Sequence, residues 1–415
     1  MLRRRFAVFS SHSCVTPVTA RLPGRVFNFS MATDFERTFD SLTDLLQDIS
    51  LRSVRGWKEE HPGKKAVGFF PVYAPVEIVH AAGMLPVLVS GAGDRLDIQH
   101  ADSRFGSFIC SIVKTTMEMA MTGHLEPLDA FLFSSICDSA RNLCFVIKRN
   151  FPQMYVDFMH LPHSTSAASV DFLAEEYRRI ITELEKLGGV LVRDDDLHRS
   201  IALYNEQRRL VHLLYELRAR SPHLLRAWES YVLVRSGNLV PVEEHIEILR
   251  NALETVSSRE GKKRDSIRVV VEGSFCEQPP LEVIRLLENA GCDIVDDDFS
   301  LEQRWFTRMV PVTGDPVRAL AESYVHHSVY SSVRHDTAHS RSDGLAEKIR
   351  RTRAEAVIFL IAKFCEPAYF DFVLFKKKVD ELGLPHLLLE FEEKLFTFDR
   401  LRTEVETFVE SLVFD

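Results

Sequence analysis

Two runs in this 415-residue chain end on a thiol in the same way. Residues 129–138 read DAFLFSSICD and residues 355–366 read EAVIFLIAKFCE: an acid, a continuous apolar run, then a cysteine where the run stops. Such a run predicts a strand buried on both faces of a parallel sheet. Open parallel α/β sheets keep their ligands beyond the carboxyl ends of the strands, which is where Cys137 and Cys365 would then lie. Cys110, in SRFGSFICSIVKTTMEMA, opens an amphipathic helix after a glycine-containing turn, and a helix start favours thiolate. If two halves of the chain face each other, the three thiols converge. Three thiolates make a soft-metal site. They suit structural zinc incompletely, since that site wants four ligands and paired short spacings. They can also hold an iron–sulfur cluster with one iron left open. Residue types and spacing leave both open beside a third reading, in which the thiols are small buried hydrophobes. Cys144, Cys276 and Cys292 are assigned to that packing class, although Cys276 also ends a strand.

The elements that must position these thiols repeat. Residues 64–89, KKAVGFFPVYAPVEIVHAAGMLPVLV, predict a strand over Ala66–Pro71, a helix opening near Pro75, a stop at Gly83 and a strand over Leu85–Val89. Proline in a first turn and glycine just past a last turn is the normal asymmetry of a helix. Residues 267–298 follow the same plan, with Glu282 matching Glu77 and Gly291 matching Gly83. The two cysteine-ending runs then match each other, as do QMYVDFMHLP (153–162) and GLPHLLLEFEE (383–393). The expected fold is therefore α/β: two related parallel-sheet domains of Rossmann-like or flavodoxin-like type, joined by a helical segment, with the thiol site between them. The boundaries read as a leader over 1–30, an N-terminal α/β domain over 31–169, helices over 170–265 and a C-terminal α/β domain over 266–415. SSREGKKRD (257–265) is the polar linker.

Residues 1–30 hold five arginines, no acid and many Ser and Thr. That is transit-peptide composition, or a translation start placed upstream of Met31; the second reading is preferred, and Cys14 is left out of the fold. A net charge of −9 argues against a nucleic-acid footprint. No apolar run approaches the roughly 20 residues of a membrane span. Seven scattered cysteines suit a reducing compartment. His326, His327, His335 and His339, with Tyr330 and Arg334, form a histidine-rich stretch that reads as a site wall or an exposed loop. GAGD (91–94) is a poor dinucleotide signal, and no G-x-x-x-x-G-K-[ST], G-x-S-x-G or H-E-x-x-H occurs.

Four stretches carry a family resemblance: WKEEHPGKKAVGFFPVYAPVEIVHAAGMLPV, ADSRFGSFICSIVKTTMEMAMTGHLEPLDAFLFSSICDSARNL, FCEQPPLEVIRLLENAGCDIVDDDF and FCEPAYFDFVLF. The chain resembles the benzoyl-CoA reductase and 2-hydroxyacyl-CoA dehydratase family from about Asp34 to its end. The resemblance implies a [4Fe–4S] cluster held by Cys110, Cys137 and Cys365. It implies a homologous second cluster-binding subunit, an iron–sulfur ATPase activator that alone handles ATP, a low-potential donor such as ferredoxin, an aromatic acyl-CoA substrate and an anaerobic cytoplasm. The absent P-loop agrees with hydrolysis on a partner. A dehydratase subunit and an electron-relay subunit are the alternatives. Glu77, His80, Asp138, Arg141 and Glu277 are expected near substrate, the alternative for Glu77 and Asp138 being helix N-terminal charge pairing. The sequence names no proton donor.

Overall fold

The structure is a computed structural model that describes residues 20–22, 25–27, 32–274, 276–329, 331, 340–392 and 398–414. Strands β1 (Ala20–Leu22) and β2 (Arg25–Phe27) pair antiparallel as a small hairpin, so the segment read as a leader does contribute secondary structure. The first parallel sheet contains β3 (Ala66–Phe69), β4 (Leu85–Leu88), β5 (Ala130–Ser134) and β6 (Tyr155–Met159), in the order β4-β3-β5-β6. The second contains β7 (Ile267–Glu272), β8 (Cys292–Asp297), β9 (Ala356–Ala362) and β10 (His386–Phe391), in the order β8-β7-β9-β10. Counted within each sheet, both orders are 2-1-3-4. The matched segments of the sequence thus occupy matched places, and the expected pair of α/β sheets is present.

The apolar runs are strands because both of their faces find cover. All seven residues of β9 are buried. Ile358 and Leu360 point into the large core shared by both sheets, while Val357 and Phe359 pack with Val270, Val295 and Ile349 in a smaller core on the opposite face. The turns also follow local chemistry: Gly83 and Gly291 end the matched helices at positive φ (70° and 103°), where a side chain would be strained.

Four long helices lie between the sheets in sequence: Ala167–Gly188, Asp194–Arg220, Ala227–Ser236 and Val242–Ser257. Ser166 caps the first, accepting the Ser169 N–H at 3.3 Å, and Gly189 (φ 68°) ends it. In the second, Asp196 accepts the Arg193 N–H at 3.0 Å, and three acids occupy the first turn. This second helix binds both halves. Arg208 forms a buried ion pair with Glu77 of the helix Val76–Ala81. Arg218, wholly buried, pairs with Asp297 at the end of β8 at 2.5 Å and lies against the Tyr215 ring. Among the described residues no helix is long and apolar enough to cross a membrane.

Removing one member of a buried ion pair strands the other without compensation. Arg218→Met is therefore expected to cost about 3–5 kcal/mol, read as a lower denaturant midpoint. A shift no larger than that of an exposed pair such as Arg318→Met would contradict this role.

Candidate functional site: a buried thiol centre

Each predicted ligand cysteine stands at the N-cap of a helix that follows a turn or strand. Cys110 caps Ser111–Met121, Cys137 caps Asp138–Asn150 after β5, and Cys365 caps Glu366–Glu381 after β9. Capping lets a side chain meet helix N–H groups that have no intrahelical acceptor. Cys137 does so, its Sγ accepting the Ala140 N–H at 3.4 Å. Cys110 and Cys365 make no such bond. Cys110 and Cys137 come from the first half and Cys365 from the second, and the three interact electrostatically with one another.

A fourth thiol joins them. Cys276, placed in the packing class on sequence grounds, is buried and within hydrogen-bonding reach of Cys365. Its loop is tied down on both sides. Gly273 bends at φ 120°, where a Cβ would sit 2.9 Å from the Leu360 carbonyl oxygen, so the loop passes close under β9. The Ser274 hydroxyl donates to that same carbonyl at 3.4 Å, and the Gln278 amide donates to the Cys276 carbonyl at 3.1 Å. The sequence reading assigns Cys276 to packing while noting that it too ends a strand; its approach to Cys365 is a long-range contact that no local pattern shows. The signal available was its place just past an apolar strand. Cys144 and Cys292 are packing thiols as expected: both are fully buried and burial pushes each up to about 12.

The electrostatics differ from the expectation of a helix-stabilised thiolate at Cys110. Burial pushes the Cys110 thiol well above its ordinary range, and the charges of Glu277, Cys365 and Cys137 push it further. Burial likewise raises Cys137 to about 11, although the Ala140 N–H opposes it, and raises Cys276 strongly. A helix start is worth about 0.3–1 kcal/mol, and desolvating a thiolate costs more than that. The centre is therefore built for neutral thiols or for thiolates that share a cation.

Backbone strain concentrates at the same edge. Phe364, directly before Cys365, has φ 66°, and Val72 and Tyr73, just after β3, have φ 59° and 58°. A left-handed β-branched residue is a rare conformation that its surroundings must enforce. Here Tyr73 is held through its hydroxyl, 2.8 Å from Ser331 Oγ, and by edge contacts with Trp305 and Tyr324.

The other predicted site residues divide. Glu277 is buried, and its carboxylate accepts the Ser111 hydroxyl and, at 3.1 Å, the Ile112 N–H. It thereby fastens the Cys276 loop of one half to the first turn of the Cys110 helix of the other. It also lines a cavity of about 480 Å³ with Gly91, Gly93 and Arg95, where the GAGD turn lies. Asp138 and Arg141 form an exposed ion pair at 3.0 Å beside Cys137, on the wall of an open cleft of about 670 Å³. Glu77 and His80 instead face the connecting helices: Glu77 pairs with Arg208, and His80 contacts Ser200 at 3.0 Å and Glu243 at 3.1 Å. His326 and His327 end the helix Pro316–His327; His335, His339, Tyr330 and Arg334 lie outside the described residues.

Among the described residues no three His, Cys, Asp or Glu side chains are spaced to close on a single metal ion. A cubane cluster binds its thiolates at separate corners, so its ligands stand farther apart than the donors of one ion. An all-thiol donor set is common to structural zinc sites and to iron–sulfur clusters.

A two-sheet α/β chain with a thiol centre drawn from both halves defines the structural class. The family described as 2-hydroxyglutaryl-CoA dehydratase, D-component, matches residues 71–412. A benzoyl-CoA reductase subunit of Thauera aromatica is 36% identical over 370 residues, covering 89% of this chain and 96% of that one. The (R)-phenyllactyl-CoA dehydratase beta subunit of Clostridium sporogenes is 29% identical, covering 85% and 93%. The beta subunit of (R)-2-hydroxyglutaryl-CoA dehydratase from Acidaminococcus fermentans is 26% identical, covering 86% and 94%. The chain belongs to this family of reductase and dehydratase enzyme subunits.

Glu277→Ala leaves the Ile112 N–H and Ser111 hydroxyl without their buried acceptor, at a cost of about 1–3 kcal/mol. It is also expected to speed alkylation of Cys110 in the native chain, as read by peptide mass spectrometry. Unchanged Cys110 labelling would show that Glu277 does not hold the two halves together at the thiols.

Proposed function

We propose that the chain is the iron–sulfur subunit of an ATP-dependent benzoyl-CoA reductase, with Cys110, Cys137 and Cys365 as the ligands of a [4Fe–4S] cluster. The observation that carries this reading is the gathering of desolvated thiols from both halves at one strand-end edge, in a chain 36% identical to a benzoyl-CoA reductase subunit. When bound, the cluster supplies one-electron transfer at low potential. The chain's own residues do the rest. The Ala140 N–H holds the Cys137 sulfur, Cys110 and Cys365 stand at the starts of their helices, and Glu277 ties the two halves together. Burial around the sulfurs keeps water out, so that electrons are not lost to protons. Cys276 stands behind Cys365 as a thiol donor, an interaction of the kind that adjusts cluster potentials.

The partners in this reading are a homologous second cluster-binding subunit and an iron–sulfur ATPase fed by a ferredoxin-like donor. The substrate is an aromatic acyl-CoA and the setting an anaerobic cytoplasm. The thioester carbonyl makes the ring a better electron acceptor. A dehydratase subunit is the second reading, favoured by the dehydratase beta subunits among the relatives; there the electron is recycled and water leaves.

The chain co-purified with its partner subunits without oxygen is expected to contribute about four irons per copy, with matching acid-labile sulfide. Cys110→Ala, Cys137→Ala and Cys365→Ala should each abolish this contribution. Iron content indifferent to all three substitutions would remove the cluster reading. Turnover of benzoyl-CoA against a 2-hydroxyacyl-CoA separates reductase from dehydratase.

A further inference from the structure

Two thiols of the centre stand in direct contact within one half of the chain. β7 and β9 are parallel neighbours, paired from Val269 with Ala356 to Glu272 with Phe359. Cys276 follows the carboxyl end of β7, and Cys365 follows that of β9. Their side chains are within hydrogen-bonding reach of each other. Cys110 and Cys137 act on Cys276 through their charge, and the Cys137 sulfur is engaged by the Ala140 N–H at 3.4 Å.

Both backbones are held where this contact needs them. The Gly273 and Ser274 N–H groups donate to the Asp298 carboxylate at 2.8 and 3.1 Å, and the Ser274 hydroxyl donates to the Leu360 carbonyl of β9 at 3.4 Å. On the other side the Cys365 N–H donates to the Ala362 carbonyl at 3.1 Å and the Lys363 N–H to that of Phe391 at 2.8 Å, in the turn that carries the left-handed Phe364. These bonds run through backbone, hydroxyl and carboxylate groups, so they place the two sulfurs together independently of metal. The contact also sets Cys276 apart from a fourth cluster ligand. Thiolate ligands of a cubane sit on separate irons, whereas these two sulfurs meet. An S–S bond of about 2.05 Å lies within a side-chain rotation of hydrogen-bonding range. A disulfide carries no charge, so burial does not oppose it as it opposes a thiolate.

We propose that Cys276 and Cys365 of the metal-free chain form a reversible disulfide, which withdraws a cluster ligand and bars cluster loading until it is reduced. The link rests on the contact of the two sulfurs; its effect on loading rests on the reading of Cys365 as a ligand given above. The oxidant is a low-molecular-weight disulfide. One cysteine sulfur attacks it, a mixed disulfide forms, and the S–H proton leaves with the released thiol. The second cysteine sulfur then attacks the first, and its proton leaves with the second released thiol. The two cysteines lose two electrons in all, and the external disulfide gains them as it becomes two thiols. A dithiol reverses both steps. The cavity of about 480 Å³ brings small molecules to Glu277 and Gln278, which follow Cys276 directly in the chain. With Cys365 linked, Cys110 and Cys137 are all that remain of the three ligands. Pairing also keeps Cys365 on the reversible part of cysteine oxidation, short of the sulfinic acid.

The test uses the full chain, purified without oxygen and stripped of metal by a chelator, with glutathione disulfide as the oxidant. Digestion with free thiols blocked and no reductant should yield a cross-linked peptide pair that joins Cys276 to Cys365 and separates in dithiothreitol. Uptake of iron and sulfide on later reconstitution should fall in proportion to the linked fraction and return after dithiothreitol. Cys276→Ser should remove the cross-link and, measured against its own untreated sample, lose less of its uptake than wild type does. Cross-links to Cys110 or Cys137 instead, or glutathione adducts with no cross-link, overturn the proposal, and so does a linked chain that loads iron like the reduced one. If Cys365→Ala loads iron normally with no oxidant present, the cluster reading fails instead, while the cross-link still reports the contact of the two sulfurs.

Discussion

Desolvation of sulfur is the constraint on which this structure turns. A thiol buried among apolar side chains resists ionisation. The centre gathers Cys110, Cys137, Cys276 and Cys365, and burial is the largest influence on the first three. Helix N-termini soften the penalty at best by a small amount. While the sulfurs stay reduced, the arrangement reaches low energy in only two states: protonated sulfurs, or sulfurs whose charge is neutralised by metal. Metal binding is then tied to proton release, and the surrounding strain at Phe364, Val72 and Tyr73 is carried by the packing of both sheets.

The second half solves the opposite problem beside it. There the buried groups are carboxylates, and the fold supplies guanidinium and ammonium groups from separate helices to meet them. Buried ion pairs add little net stability over apolar packing, yet breaking one is costly. Such a cluster enforces a single arrangement of β8, the helix Arg341–Thr352 and the helix Asp194–Arg220. Thiols and carboxylates thus share the carboxyl edge of one sheet, with Gly273 and Ser274 as the hydrogen-bonded boundary between them.

Much of this was legible in the sequence because it depends on local rules. Continuous apolar runs marked β5 and β9, glycines marked the ends of the matched helices, and the repeated order of segments foretold two like sheets. Cys137 and Cys365 could be singled out because each ends a continuous apolar run, and Cys110 because it opens an amphipathic helix. Cys276 could not be, since what makes it part of the centre is its approach to Cys365 at the end of the neighbouring strand β9. Nothing in the sequence singles out the acids at 296–298, because Arg218 and Arg351, which pair with Asp297 and Asp296 in the fold, come from remote parts of the chain. Glu77 was placed near substrate by its position at a helix start, and nothing local announced Arg208. The hairpin of β1 and β2 escaped notice because the composition of its surroundings resembles a leader.

The helix Asp194–Arg220 has a mechanical consequence. It grips the first half through Arg208 and the second through Arg218, and the two arginines lie on one continuous rod. An α-helix is stiff along its axis, so the halves cannot swing apart like a clamshell without tearing a buried ion pair at one end or the other. The frame therefore opposes separation of the thiols that come from the two halves. Whatever approaches them must be admitted by the movement of loops at the rim, with the frame itself acting as a stator.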